Sequence, residues 1–94
     1  MPYVYILRCA DNSYYVGSTH NLDRRLSEHS TGFGASYTRT RLPVELVFAE
    51  EFLRVDEAYE REKQIQGWSR KKREALIRMH AEELPRLSRK RFRE

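Results

Sequence analysis

The segment Tyr14–His29, YYVGSTHNLDRRLSEH, passes from an apolar strand-like run to an amphipathic helix within a few residues, and the rest of the chain is organised around that change. Tyr15, Val16 and Gly17 close the strand. Thr19 or Asn21 caps the helix, because either side chain accepts a hydrogen bond from a backbone N–H that the first turn leaves unpaired. Leu22 and Leu26 mark the buried stripe. At about 100° per residue, Leu26 lies about 40° from Leu22, Arg25 about 60° to the other side and His29 about 20° away. Arg25 and His29 therefore stand on the inward stripe, where a guanidinium and an imidazole are costly to bury without partners. One reading makes them site residues. In the other, Arg25 snorkels past the leucines and His29 ends the helix as a solvated base that favours the helix dipole.

Upstream, Tyr3–Cys9 (YVYILRC) is rich in β-branched and aromatic residues and too short for a buried helix, so it reads as a strand. Ala10–Asn12 is a turn, and Ser13–Gly17 is the returning strand of a hairpin. Tyr3, Tyr5, Leu7 and Cys9 share one face of the first strand; Tyr15 and Gly17 share one face of the second. Tyr5 and Tyr15 point to the same side only if the hairpin loop has an odd number of residues. The turn Ala-Asp-Asn supplies that parity.

Downstream, residues 30–42 (STGFGASYTRTRL) read as a loop entered through a glycine cap at Gly32. Tyr37, Arg39 and Arg41 give it a composition suited to base stacking and phosphate contact, as well as to an ordinary polar connector. A third strand is expected over Val44–Phe52. A helix is expected over Val55–Gln66, with Asp56 as its cap and Gly67 as its stop. Ala58 and Ile65 set the inward stripe of that helix, and Glu62 falls between them while Glu57 and Glu60 point elsewhere. An unpaired carboxylate on a packing stripe calls for a cation, either Arg25 in a buried pair or a metal ion. After Trp68 a last helix is capped at Ser69, with Lys72, Ala75, Leu76 and Met79 at helical spacing and a basic opposite side. Pro85 stops it, and LSRKRFRE follows as a basic tail with Phe92 as a stacking or docking residue.

The chain has 94 residues, enough for one small domain, here placed at residues 1–84 with residues 85–94 as the tail. Its one cysteine, Cys9, excludes an intrachain disulfide and a zinc site built on cysteines, and it suits a reducing cytoplasm. Neither a signal peptide nor a membrane span is expected. The net charge of +4 is uneven: residues 1–66 carry 8 Lys/Arg against 10 Asp/Glu, and residues 67–94 carry 10 against 4. The basic end reads as a polyanion-facing arm, in which Lys71, Lys72, Arg89, Lys90 and Arg91 join Tyr37, Arg39 and Arg41 as candidate nucleic-acid contacts. No Gly-rich phosphate loop, HExxH or GxSxG is present.

Tyr5, Tyr15, Arg25, His29 and Glu62 together suit phosphodiester cleavage, which needs a base for water, a cation for the charge on phosphorus and stabilisation of the leaving oxygen. A tyrosine with its ordinary pKa of about 10 is a poor base unless a neighbouring cation or metal-bound water lowers it.

The pair Val4-Tyr5 and the triplet Tyr15-Val16-Gly17, then Arg25, His29 and a later Glu62 within REKQI, resemble the GIY-YIG nuclease domain over roughly Pro2–Met79. More narrowly, CADNSYYVG, GFGASYTR and REKQIQGWSRKKREALI look like the small single-domain bacterial proteins of the UPF0213 type. The resemblance implies an α+β fold with a three-stranded antiparallel sheet flanked by helices in ββαβαα order. It also implies a metal-dependent DNA endonuclease of low sequence specificity, acting on branched, nicked or repair-associated structures. By position, Tyr5 would be the general base or water-positioning phenol and Tyr15 a second phenol ordering the site. Arg25 would contact the scissile phosphate, His29 would assist proton transfer or phosphate binding, and Glu62 would hold one Mg²⁺ or Mn²⁺. Tyr3 stands in place of the first glycine of the motif, Val16 in place of the isoleucine, and Ser18 where some members carry a lysine. DNA is the expected partner, with no membrane and no organic cofactor. The alternatives are a nucleic-acid-binding module of little or no turnover, and an interaction domain that docks to a protein partner within a repair complex.

Overall fold

The computed structural model describes residues 1–81. The expected boundary at residue 84 and the tail, with Arg89, Lys90, Arg91 and Phe92, lie outside the described residues.

Among the described residues seven elements follow in order: β1 (Tyr3–Arg8), β2 (Tyr14–Thr19), α1 (Leu22–Ser30), α2 (Ser36–Arg39), β3 (Glu45–Glu51), α3 (Val55–Gln66) and α4 (Arg70–Met79). The strands form one antiparallel sheet in the order β2-β1-β3. The architecture is α+β, as expected, with one addition. The loop after α1 contains the four-residue helix α2, which its polar composition and lack of apolar periodicity did not announce.

β1 is central and covered on both faces, so Val4, Tyr5, Ile6 and Leu7 are all buried in a continuous run. On one face Tyr5, Leu7 and Cys9 pack with Leu22 and Leu26 of α1 and with Leu46. On the other, Val4, Ile6 and Val16 pack with Phe48, with Ala58 and Ile65 of α3 and with Leu76 of α4. A bulge sets Ile6 opposite Phe48 but Leu7 opposite Leu46, so Val47 is the extra residue and joins Phe48 in the second cluster.

The odd-loop register holds. Cys9 and Ser13 close the hairpin, with the Cys9 N–H donating to the Ser13 carbonyl at 2.8 Å, and Asn12 takes a positive φ of 68° between them. Tyr5 then faces Gly17 and Leu7 faces Tyr15, which places both tyrosines on the α1 side.

Asn21 caps α1, its Oδ1 accepting from the Arg24 N–H at 3.0 Å, and Gly32 follows the helix end at φ 88°. Ser69 caps α4. Two helix readings need correction. Arg54, not Asp56, is the N-cap residue of α3; Asp56 sits in the first turn and pairs with Arg54. In α4 the packed side runs through Arg73, Leu76 and Ile77, while Lys72 and Met79 are exposed, because Arg73 turns back to the carbonyls that end α3.

Candidate active site

The site forms at β2, an edge strand whose two faces belong to different helices. Tyr5 approaches from the α1 face and Glu62 from the α3 face. Gly17 lies between them in the ladder opposite Tyr5, and a Cβ built on it would stand 2.6 Å from the Tyr5 hydroxyl oxygen and 3.1 Å from the Tyr15 ring. Only a residue without a side chain lets both phenols lie against this strand.

Tyr5 is 1% exposed and its hydroxyl lies 2.9 Å from His29 Nε2. His29 is fully buried, and its Nδ1 lies 2.8 Å from the Thr38 hydroxyl. Burial therefore won over the solvated end-cap reading of this histidine. The Thr38 hydroxyl in turn sits 3.0 Å from the Ala35 carbonyl. Gly34 makes room for the arrangement, since a Cβ there would collide with the His29 ring. Tyr15 packs on both rings, with its centroid 6.3 Å from Tyr5 and 5.2 Å from His29.

These contacts set the protonation states. Burial pushes the Tyr5 phenol up to about 12, although the Arg25 cation nearby pulls the other way. Burial, helped by the Arg25 charge, holds the His29 imidazole down at about 4. At neutral pH the pair is therefore a protonated phenol beside a neutral imidazole, and the nearby cation does not turn Tyr5 into a phenolate.

Arg25 is half-buried. Burial opposes its charge, yet Tyr5 and Glu28 together hold its pKa above the ordinary value. Its ion-pair partner is Glu28, one turn on, with Nη1 3.0 Å from Oε1. Glu62 is thus not paired with Arg25. Instead its two oxygens accept from neutral donors, Oε1 from the Ser18 hydroxyl at 2.6 Å and Oε2 from Gln66 Nε2 at 2.9 Å. Gln66 also donates to the Val16 carbonyl at 3.1 Å, which ties α3 to the edge strand. Glu62 makes no salt bridge among the described residues. Each of its oxygens keeps a lone pair after these bonds.

No group of three or more His, Cys, Asp or Glu residues stands together to hold a metal among the described residues. A cation here would have one carboxylate and mostly water around it. That donor set suits Mg²⁺, which dehydrates reluctantly and keeps several waters.

Around this centre, Tyr37 lies 6.1 Å from Tyr15 and carries the Arg41 guanidinium at 3.9 Å over its ring. Arg41 is tied further to Asp11 at 3.1 Å and to the Tyr37 carbonyl at 2.9 Å, so it braces the loop. Arg39, Lys71 and Lys72 are exposed, with Lys72 4.5 Å over the Trp68 ring. A cavity of about 230 Å³ opens beside Tyr15, lined by Tyr14, Val16, Tyr37, Gln66 and Arg73. Arg89, Lys90 and Arg91 fall outside the described residues.

Sequence reasoning missed Thr38, Ser18 and Gln66. Gln66 was readable, four residues after Glu62 on the same helix and hence beside it. Ser18 was readable from the strand parity that sends it to the α3 face. Nothing in the pattern of residues 30–42 marked Thr38.

The model of the GIY-YIG catalytic domain matches residues 1–75. A UPF0213 protein of Natronomonas pharaonis is 51% identical over 75 residues, covering 80% of this chain and 88% of its own. The UPF0213 protein YazA of Bacillus subtilis is 44% identical, over 80% of this chain and 76% of its own. Among solved structures, the solution NMR structure of a UPF0213 protein from Bacillus halodurans superposes with a TM-score of 0.58 at 43% identity, covering 86% of this chain and 87% of that one.

Proposed function

We propose that this chain, which belongs to the GIY-YIG catalytic domain family and within it to the UPF0213 proteins, is a metal-dependent endonuclease that hydrolyses DNA phosphodiester bonds with little sequence specificity. The observation that carries the reading is Glu62: a half-buried carboxylate held by Ser18 and Gln66, without a salt-bridge partner among the described residues, and set against the same edge strand as the Tyr5–His29 pair.

The chain's own residues divide the work. Tyr5 orients the attacking water and takes its proton while passing its own hydroxyl proton to His29 Nε2, so no free phenolate forms. Arg25, kept charged at every relevant pH, neutralises the equatorial oxygens as charge builds on phosphorus. Tyr15 fixes the Tyr5 and His29 rings by packing. Glu62 would hold one Mg²⁺ or Mn²⁺, which when bound supplies Lewis-acid stabilisation of the departing oxygen. The water oxygen forms its bond to phosphorus, the bond from phosphorus to the leaving oxygen breaks, and His29 ends the step as imidazolium.

Exposed Arg39, Lys71 and Lys72, with the basic residues of the C-terminal sequence, would contact phosphates, adding affinity without reading sequence. Low sequence specificity favours a substrate recognised by shape, such as branched or nicked DNA in repair. The test is incubation of wild-type and Glu62→Ala protein with labelled single-stranded, duplex, nicked, flapped and four-way-junction DNA in Mg²⁺, Mn²⁺ or EDTA, with binding read on the same samples. Metal-dependent cleavage lost in the variant with binding retained supports the reading. Binding without cleavage on every substrate would make the chain a nucleic-acid-binding module instead.

A further inference from the structure

We infer that Thr38 is a positioning residue whose hydroxyl fixes His29 in the tautomer protonated on Nδ1, leaving Nε2 as the acceptor for Tyr5. Its consequence for rate rests on the endonuclease reading above; the tautomer itself does not.

Two hydrogen-bond patterns satisfy the distances. In the first, Thr38 donates to the Ala35 carbonyl (3.0 Å), His29 Nδ1–H donates to the Thr38 oxygen (2.8 Å) and the Tyr5 hydroxyl donates to His29 Nε2 (2.9 Å). Every donor then has an acceptor. In the second, Thr38 donates to Nδ1 and Nε2–H donates to Tyr5, so the Thr38 oxygen faces the Ala35 carbonyl oxygen at 3.0 Å with no hydrogen between them. Two acceptor oxygens at that distance repel, and Thr38 is fully buried, so only the first pattern satisfies all three contacts.

The loop is built to hold this contact. Thr38 is fully buried although it lies in a polar segment, and α2 presents it to the ring. Gly34, whose Cβ would collide with His29, lets that segment close over the imidazole. During reaction the proton leaving Tyr5 stops on Nε2. Thr38 takes no proton; it accepts the Nδ1–H bond throughout and stabilises the imidazolium that forms.

The experiment is ¹⁵N NMR of the His29 ring in the full chain at neutral pH, for wild type, Thr38→Ser and Thr38→Val, with single-turnover DNA cleavage and DNA affinity measured on the same proteins. Wild type and Thr38→Ser should carry the proton on Nδ1. Thr38→Val, nearly isosteric but without an acceptor, should move it to Nε2 and slow cleavage about 10- to 100-fold with affinity unchanged, the size of effect seen when a metal-ligating histidine loses the group that holds its other ring nitrogen. A wild-type proton on Nε2, or a Thr38→Val ring still protonated only on Nδ1, overturns the inference without need of any activity. If the tautomer moves as stated and no variant or wild type cleaves any DNA, Thr38 keeps its role as tautomer lock and the endonuclease reading is what fails.

Discussion

Tyr5 and Gly17 face each other across the β1–β2 ladder, and the phenol oxygen occupies space that any side chain at position 17 would need, with only 2.6 Å to a Cβ built there. The glycine of the YVG motif is thus a condition on where the Tyr5 hydroxyl sits. Gly17→Ala should displace the Tyr5 ring from His29. Overpacking of this kind costs about 1 to 3 kcal/mol, so an unfolding free energy in urea lowered by that amount, with the Tyr5–His29 interaction weakened in the histidine NMR spectrum, is the expected result.

His29 gives the fold a defined acid sensitivity. Its folded pKa of about 4 lies below the ordinary 6.5, so between those values the unfolded chain binds a proton that the folded chain does not. Stability from this group is therefore complete above about pH 6.5 and falls as pH drops toward 4, by up to about 3 kcal/mol. Arg25 and Glu28 face the ring with opposite charge, and Arg25 is the one that reinforces the effect of burial. Urea denaturation at pH 7, 5 and 4 should show this loss, and His29→Gln should flatten that part of the profile. For cleavage, the acid limb attributable to His29 should lie near pH 4 and not near 6.5.

Ser18 and Gln66 hold Glu62 by neutral hydrogen bonds, so they should matter for metal binding more than for folding. Ser18→Ala should weaken Mg²⁺ or Mn²⁺ binding about 10-fold or more, read as a shift in the metal concentration giving half-maximal cleavage, while stability changes by less than about 1 kcal/mol. An unchanged metal requirement would remove Ser18 from the site.

Residues 85–94 contain Arg86, Arg89, Lys90, Arg91 and Arg93. If they neutralise phosphates, truncation before Pro85 should weaken DNA binding and make the slope of log affinity against log salt shallower, by about 0.9 for each phosphate that no longer has its cation. An unchanged affinity and slope would leave the arm without a DNA role.

Much of this site could be read from periodicity alone. Tyr5 and Tyr15 came to one face because a three-residue turn fixes strand parity, and the 3.6-residue repeat put Arg25, His29 and Glu62 on inward stripes. Parity and periodicity say which way a side chain points, not what meets it. Arg25 was open to Glu62 across the sheet and to Glu28 one turn away, and the nearby carboxylate took it. Thr38 was hidden for a different reason. It sits in a loop where no repeat exists, and its burial depends on Gly34 letting the chain fold back over His29, a tertiary event with no local signature. Asp56 looked like a cap because capping residues are also common in the first helical turn, where acidic side chains favour the dipole.

The most direct measurement of the central claim is the single-turnover rate of DNA cleavage by Tyr5→Phe beside wild type, with affinity determined on the same substrate. The variant keeps the ring and loses the hydroxyl that lies 2.9 Å from His29 Nε2. Removing a general acid or base costs about 10²- to 10⁴-fold, so a rate lowered by that factor with DNA affinity unchanged is the predicted result. A Tyr5→Phe protein that cleaves at the wild-type rate would contradict the account, because the proton path from water through Tyr5 to His29 would then not be the one the reaction uses.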